Sequence, residues 1–272
     1  IVSLINFLFK KFKIIIRESN TISLSTGKSI QKKIMYLLKK LSWNLADLII
    51  NVSKEAKFQN DLYLDYHKNN STYIYNPCDF DYIKKSSVIF DPRFDNTKIN
   101  FVAVGRISYQ KNYEYMIKIF NFLKNKLNFN LHIIGDGDLS NKIIKLRNEN
   151  GLFNNIYFYG HIDNPYPYIN KCDFFILTSR YEGIANVLLE ALTLRKNIIT
   201  TRCPSGPKEI IDNGNCGIFI NNYSASLAAE EINNYVLNKN KQKLHLKNID
   251  NHIKKFSHSI IAQKYENIFS NL

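Results

Sequence analysis

The stretch FFILTSRYEGIANVLLE spans residues 174–190. Its four opening apolar residues, Phe174-Phe175-Ile176-Leu177, predict a strand that is buried on both faces of a parallel sheet. A polar turn follows, and a helical pattern begins near Asn186. A strand, a loop and a helix in this order are typical of doubly wound α/β proteins, in which ligands bind at the carboxyl ends of the strands.

The same alternation of strand and helix extends along most of the chain. Helical patterns such as 112–126 and 139–150 separate short β-rich runs, which predicts parallel sheets covered by helices. The predicted strands are 13–16, 48–52, 72–75, 99–104, 130–134, 155–159, 174–177, 197–200 and 217–220.

The alternation breaks between Asn76 and Pro92, where prolines and polar residues cluster without periodicity. We therefore predict two Rossmann-like domains, residues 1–85 and 86–252, followed by a C-terminal segment, 253–272. The first part has about 80 residues, fewer than the ~100–150 usual for such a domain. The chain also begins with Ile rather than Met. We expect an incomplete first domain that leaves apolar surface uncovered at Ile14, Ile15, Ile16, Leu48, Ile49 and Ile50.

The composition is that of a folded chain with an unusual charge. Of 272 residues, 45% are hydrophobic and 22% are charged, which excludes a disordered chain. The net charge of +14 has two explanations that the sequence does not separate. One is the Lys- and Asn-rich usage of AT-rich genes. The other is an anionic partner, such as a membrane surface, nucleic acid or a phosphate-bearing substrate.

Residues 28–40 (KSIQKKIMYLLKK) form a basic amphipathic segment. We favour an ordinary surface helix that packs Ile34, Leu37, Leu38 and Leu41, and peripheral contact with an anionic membrane at its inner, cytoplasmic face is the alternative. Lysines interrupt the opening apolar run, so no transmembrane helix is expected.

Four cysteines, at 78, 172, 203 and 216, show no C-x-x-C pairing. Their spacing argues against a zinc site or a disulfide framework and suits a reducing cytosol. We therefore expect a cytoplasmic protein without a metal cofactor.

Residues 104–112 (VGRISYQKN) place two cations beside a predicted helix start. A glycine at the strand end, Gly105, allows a sharp turn, and Arg106 and Lys111 flank the start of the helix. Fixed cations at a helix N-terminus suit a diphosphate and could neutralise the charge on a leaving nucleoside diphosphate. Taken alone, the pattern equally fits a solvated loop.

Two glutamates, Glu182 and Glu190, stand eight residues apart across a loop and a helix start. Glu182 follows a strand end, and Glu190 lies about two helical turns further on, so both can face one cleft. The amides from Gly183 to Asn186 are free donors at the helix start. The carboxylates could perform acid–base hydrolysis or accept hydrogen bonds from sugar and ribose hydroxyls.

Three further features surround this pattern. Residues 201–211 (TRCPSGPKEII) form a rigid loop that would line the same cleft. Gly135-Asp136-Gly137 lacks the third glycine and the acidic residue of a dinucleotide fingerprint, so a tight turn explains it. His132 lies in a strand and is expected to be packed, whereas His161 follows a strand end, where a place facing the cleft is the minority expectation.

Taken together, these motifs resemble the retaining glycosyltransferases of family 4, which have the GT-B fold. The resemblance rests on Gly105-Arg106 with Lys111, on the Glu182-to-Glu190 pattern and on residues 204–211 (PSGPKEII). Residues 76–79 resemble the family's interdomain hinge, and 257–269 resemble a C-terminal helix that crosses back to the first domain. Residues 14–20 (IIIRESN) resemble the late part of the family's first domain.

The resemblance implies a role for each motif. Arg106 and Lys111 would bind the donor diphosphate, with the cations in place of a metal. Glu190 would bind the ribose, and Glu182 would bind the sugar together with the amides of Gly183, Ile184, Ala185 and Asn186. The family's glycine-rich loop and histidine near the reacting sugar have no counterpart in this sequence.

The leading hypothesis is therefore an enzyme that moves a hexose-type sugar from a nucleotide sugar, by analogy UDP-linked, to a lipid-linked or cell-envelope glycan such as lipopolysaccharide, with retention. The alternative is a truncated, catalytically impaired remnant that only binds sugar nucleotide. A hydrolase would leave 105–111 unexplained, and no base-stacking or groove-reading motif supports a nucleic-acid partner.

Overall fold

The computed structural model of the protein describes residues 12–20, 30–66 and 69–272. Within them, two parallel sheets form, one of three strands and one of six. The smaller sheet has the order β1-β2-β3, with β1 at Ile15–Glu18, β2 at Leu48–Asn51 and β3 at Ser71–Tyr73. Helices α1 (Ile30–Leu45) and α2 (Lys54–Tyr63) connect these strands, and α3 (Phe80–Ser86) follows them.

The larger sheet has the order β6-β5-β4-β7-β8-β9. Its strands are β4 (Ile99–Val104), β5 (Phe129–Ile134), β6 (Ile156–Phe158), β7 (Phe174–Leu177), β8 (Asn197–Thr201) and β9 (Gly217–Ile220). The helices of this half are α4 (Tyr113–Leu123), α5 (Ser140–Glu149), α6 (Tyr166–Lys171), α7 (Asn186–Thr193), α8 (Pro207–Ile210), α9 (Ala225–Leu237), α10 (Lys239–Ile253) and α11 (His258–Ser270). The strand order reverses between β4 and β7, and such a switch point opens a ligand crevice at the carboxyl ends of its strands.

The predicted alternation of strand and helix is confirmed, and β4, β7 and β9 begin and end at the predicted residues. The reason is visible in β7, whose four residues are all buried. Its side chains alternate between two apolar layers: Phe174 and Ile176 pack into one, and Phe175 and Leu177 into the other. A strand that must be apolar on both faces is easily recognised in the sequence. The domain boundaries stay predictions.

Helix α1 packs differently from our expectation. Ile34, Leu37, Leu38 and Leu41, which were predicted to be packed, are exposed by 52%, 63%, 52% and 47%. The helix instead buries Trp43 against Ile49, Leu64 and Tyr66. The prediction was wrong because the helix carries apolar residues on two faces, and the face with the aromatic side chains covers the sheet. The start of the predicted segment, residues 28 and 29, lies outside the described residues.

The expected exposure of the first sheet is correct only for part of it. Ile15 is exposed by 36%, and Ile14, Ile16 and Leu48 are partly buried. Ile49 and Ile50, however, are 0% and 1% exposed, because β2 is the central strand and apolar side chains cover both of its faces. Within the described residues, every helix is too short or too polar to span a bilayer.

The end of the chain returns to the first sheet. The amide of Cys78 donates to the carbonyl of Phe256 at 2.8 Å, and Cys78 and Ser257 form a parallel β-bridge. From α11, the hydroxyl of Tyr265 accepts a hydrogen bond from Nε of Arg17 at 3.1 Å. Residues 76–79 and α11 therefore join the two halves side by side.

Candidate active site

Two glycine-containing loops meet at the carboxyl ends of β4 and β5. The amide of Gly105 donates to the carbonyl of Ile134 at 2.9 Å, and the amide of Ile107 donates to the backbone carbonyl of Asp136 at 2.9 Å. A Cβ at Gly137 would lie 2.4 Å from the carbonyl oxygen of Ile107. The tight turn predicted at 135–137 is present, and its second glycine is required because the two backbones touch.

A cavity of about 500 Å³ opens beside these loops. Its lining comprises Val104, Gly105, Arg106, Ile134, Gly135, Asp136, His161 and Ile162. His161, for which a place at the cleft was the minority expectation, lines it with a side chain that is 78% exposed and 3.2 Å from Asp163. His132 is packed as predicted: it is 3% exposed, stacks on Phe94, and burial lowers its pKa to about 4.

Lys111 and Glu182 form a largely buried ion pair at this crevice. Nζ of Lys111 lies 2.8 Å from Oε1 of Glu182, and the two side chains are 18% and 6% exposed. Ser179 donates its hydroxyl to the same oxygen at 2.6 Å. Nε2 of Gln110 lies 3.4 Å from the other oxygen, Oε2. The carboxylate is thus oriented from three directions, with a fixed cation beside it.

Glu190 lies on α7, eight residues after Glu182. Its side chain is partly buried, and burial raises its pKa, while the positive charge of Lys111 acts in the opposite direction. The positive charge of Lys111 therefore acts on both Glu182 and Glu190. The donor-binding roles that the sequence predicted for these residues stay predictions. Carboxyl groups whose pKa is raised by burial are common at functional sites.

Arg106 has a different orientation from Lys111. Its guanidinium is 69% exposed and lies 3.3 Å from Oδ1 of Asp138. Asp138 is itself 78% exposed, so this surface pair costs little to break. The two cations that the sequence placed together thus sit differently, with one fixed inside the site and one at its rim.

The loop from Gly183 to Asn186 connects Glu182 to α7. Ile184 and Ala185 are buried, and no described side chain caps the first turn of the helix. Oδ1 of Asn186 accepts from Nδ2 of Asn76 at 2.8 Å, and Arg17 donates to the other side of Asn76. A Cβ at Gly183 would lie 2.0 Å from the carbonyl oxygen of Ser19. The part of the chain that forms the smaller sheet therefore touches this loop directly.

Three residues of the site escaped the sequence reasoning: Ser179, Gln110 and Asp138. Ser179 carried a usable signal, since a hydroxyl at a strand end three residues before a buried carboxylate can reach back to it. Gln110 and Asp138 carried none, because each approaches its partner across a separate loop.

A family model described as "Glycosyl transferases group 1" matches residues 84–255 of the chain. An uncharacterized glycosyltransferase of Methanocaldococcus jannaschii is 31% identical over 220 residues, which are 77% of this chain and 54% of that protein. The N-acetylgalactosamine-N,N'-diacetylbacillosaminyl-diphospho-undecaprenol 4-alpha-N-acetylgalactosaminyltransferase of Campylobacter jejuni is 33% identical over 119 residues, which are 44% of this chain and 32% of that protein. The chain spans about half, or less, of the length of these curated relatives.

Solved structures agree on the architecture. HepE of Anabaena, in complex with UDP and glucose, has a TM-score of 0.84 at 16% identity and is covered to 75%, with all of this chain aligned. TarM of S. aureus, in complex with UDP among other ligands, has a TM-score of 0.78 at 18% identity, covering 94% of this chain and 50% of that one. The six-stranded switch-point sheet, its paired loops and the match over 84–255 lead to one conclusion: the chain belongs to the glycosyl transferases group 1 family and has the architecture of the GT-B glycosyltransferases.

Proposed function

We propose that the protein transfers a hexose-type sugar from a UDP-linked donor to a lipid-linked or cell-envelope glycan, with retention of configuration. The observation that carries this proposal is the largely buried ion pair of Lys111 with Glu182, next to Gly105 and the cavity that Gly105 lines. Relatives support the donor and acceptor classes: a capsular polysaccharide glycosyltransferase of Staphylococcus aureus and a lipopolysaccharide 1,6-galactosyltransferase of Escherichia coli are among them.

In this proposal, Lys111 binds the donor diphosphate. Its ammonium group has three donors, and Glu182 occupies one of them. Arg106 leaves Asp138 and becomes the second cation on the diphosphate. As the bond to the sugar breaks, negative charge develops on the leaving diphosphate, and the two cations stabilise that charge without a metal ion.

Glu190 accepts hydrogen bonds from the ribose hydroxyls, and Glu182 accepts them from the sugar. The loop from Gly183 to Asn186, which leads into the uncapped start of α7, offers backbone amides next to Glu182. In this division of roles, Glu182 is a fixed hydrogen-bond acceptor that positions the sugar.

Calorimetry with UDP tests the donor site. Arg106→Ala should weaken binding by about 1.5–3 kcal/mol, the range for a lost charge-assisted hydrogen bond. Lys171→Ala is the control, because Lys171 forms an ion pair with Asp91 and neither residue lines the cavity at Gly105. Equal affinity of the wild-type protein and Arg106→Ala would contradict the assignment.

A transfer assay with radiolabelled nucleotide sugars and membrane lipid extract tests the reaction. Transfer by residues 1–272 supports the enzyme, whereas tight UDP binding without any transfer supports the alternative of a binding-only chain.

We also propose that α1 contacts an anionic membrane surface. Five apolar side chains of this helix, Ile34, Met35, Leu37, Leu38 and Leu41, are exposed by 47–63%. The sequence of α1, IQKKIMYLLKKLSWNL, contains four lysines and no acidic residue. An exposed apolar stripe with lysines around it is the pattern of helices that lie in the plane of a membrane interface.

Sedimentation with vesicles tests this contact. The protein should bind vesicles that contain anionic lipid more strongly than neutral ones, and Leu37→Glu with Leu41→Glu should abolish the difference. Leu244→Glu is the control, since Leu244 is equally exposed, by 56%, on the distant helix α10. Unchanged vesicle binding by the double variant would refute a role for α1.

A further inference from the structure

Helix α2 begins where the part of the chain that forms the smaller sheet contacts the part that forms the larger sheet. Each amide of its first turn has a hydrogen-bond partner. Oγ of Ser53 accepts from the amide of Ala56 at 3.0 Å, and the carbonyl of Ser53 accepts from Lys57. The two remaining amides, those of Lys54 and Glu55, donate to the carboxylate of Glu209 at 3.1 and 2.8 Å. Amides at a helix start otherwise lack a partner within the helix.

Glu209 belongs to α8, in the other half of the chain, and each of its oxygens takes one of these amides. The hydroxyl of Tyr75 donates to Oε2 at 2.5 Å. Burial and the neighbouring Glu209 raise the pKa of Tyr75, so that this hydroxyl stays protonated and remains a donor. The negative charge also lies at the positive end of α2. One carboxylate therefore accepts three hydrogen bonds from the first domain.

The same contact continues into the loop at Gly183. The carbonyl of Gly183 accepts from Oγ of Ser53 at 3.3 Å and from the amide of Gly206 at 3.2 Å. Ser53 immediately precedes the amides that bind Glu209, and Gly206 immediately precedes the helix that carries Glu209. The Glu209 carboxylate and the Gly183 carbonyl thus fix the same two chain segments to each other.

We propose that Glu209 is a positioning residue: its carboxylate clamps α2 of the first domain onto α8 and thereby sets the place of Gly183 in the loop that follows Glu182. The effect on ligands rests on the proposed function, in which that loop binds the donor sugar. A bidentate carboxylate on two backbone amides fixes orientation as well as distance. The clamp therefore makes the geometry of the sugar loop depend on how the two domains meet.

Residue-resolved amide hydrogen exchange tests the clamp without any ligand. Glu209→Gln keeps the shape of the side chain but replaces one acceptor oxygen with an NH2 group that cannot accept. We expect the amides of Lys54, Glu55 and Gly206 to exchange at least tenfold faster, with the amide of Ile133 in β5 unchanged as proof of folding. Glu231→Gln is the matched control, because Glu231 accepts the amide of Asn221 at 2.6 Å within one half. It should accelerate only Asn221.

Calorimetry then tests the positioning role in the same variants. Glu209→Gln should weaken binding of UDP-glucose at least fivefold more than binding of UDP, and Glu231→Gln should weaken neither. Unchanged exchange at Lys54 and Glu55 would overturn the clamp. Faster exchange at these two amides with an unchanged rate at Gly206 would reduce Glu209 to a helix cap and overturn its positioning role. If the wild-type protein binds neither nucleotide, the proposed function fails, and the exchange rates of Lys54, Glu55 and Gly206 still decide the clamp.

Discussion

Replacing Glu182 with glutamine should change the affinity for two ligands in opposite directions. In the structure, Glu182 neutralises Lys111 from 2.8 Å, and both groups are largely withdrawn from water. Glutamine keeps the shape of the side chain and removes the charge. Lys111 then has no anionic partner, so a bare nucleoside diphosphate should bind more tightly. A nucleotide sugar loses the charged acceptor for its hydroxyls, so the sugar should add less to binding.

The size of both effects follows from the pair itself. Two unit charges 2.8 Å apart attract by about 6 kcal/mol at an effective dielectric constant near 20, which is an upper limit because Lys111 is 18% exposed. Hydrogen bonds to charged groups are worth about 1.5–3 kcal/mol and neutral ones about 0.5–1.5. We therefore expect UDP to bind more tightly, by less than this upper limit, and the contribution of the sugar to fall by about 1–2 kcal/mol.

Calorimetry of UDP and UDP-glucose at low salt measures both changes in one series. Glu190→Gln is the matched variant, because its proposed target, the ribose, is present in both ligands, and it should weaken them equally. Weaker binding of UDP by Glu182→Gln, to the same extent as binding of UDP-glucose, would refute both the role of Lys111 at the diphosphate and that of Glu182 at the sugar.

The remaining predictions concern stability and can be measured by chemical or thermal denaturation. Lys111→Met should lower the free energy of unfolding by about 3–5 kcal/mol because it leaves a buried carboxylate unpaired, and adding Glu182→Gln should restore part of the loss. Burial raises the pKa of Glu190, so its ionisation costs stability as the pH rises above about 4.3. Glu190→Gln should be more stable than wild type at pH 7, by about 1.4 kcal/mol per unit of pKa difference, and equal to it at pH 3. Gly137→Ala should destabilise the protein, because its Cβ would meet the carbonyl of Ile107 at 2.4 Å. Burial lowers the pKa of His132 to about 4, so its stability contribution is complete above pH 6.5 and is lost as the pH falls towards 4, by about 3 kcal/mol. His132→Gln should lack this slope.

The larger sheet could be predicted from the sequence because each of its strands has a recognisable apolar pattern within its own few residues. Phe174–Leu177 is apolar at every position, and only a strand covered on both faces needs that pattern. The position of the site loops could be predicted for the same reason. Gly105 follows β4 and Glu182 follows β7, and because these strands are parallel neighbours, both residues lie at the carboxyl edge of the sheet. The ion pair between Lys111 and Glu182 could not be predicted, since the sequence shows two charged residues but not that their side chains are buried against each other.

Helix α1 shows where local pattern fails. The aliphatic stripe that contains Leu37 and Leu41 was expected to pack against the protein. In the structure, Leu37 is 63% exposed, whereas Trp43 on another face of the helix is 1% exposed. A helix with two apolar faces can cover a sheet with either one, and the choice depends on which side chains fit the opposing surface. Trp43 meets Tyr66 edge to face with ring centres 5.2 Å apart, a specific contact that hydrophobicity alone does not encode.

The contact between the domains lies furthest from what sequence reasoning can reach. Glu209 binds the amides of Lys54 and Glu55, and backbone amides carry no residue signature, so no pattern in residues 53–57 marks a partner 155 positions away. A serine before a helical run, such as Ser53, favours a helix start, but it does not show which group binds the remaining amides. A serine cap binds one amide of the first helical turn and leaves others without a partner in the helix. Where such a helix begins at a contact between domains, a carboxylate from the opposite domain can accept hydrogen bonds from the remaining amides, and its charge is favourable at the helix N-terminus. In this protein the carboxylate is that of Glu209, three residues after Gly206, whose amide donates to the carbonyl of Gly183. The contact that satisfies the first amides of α2 is therefore adjacent to the loop where the donor sugar is proposed to bind.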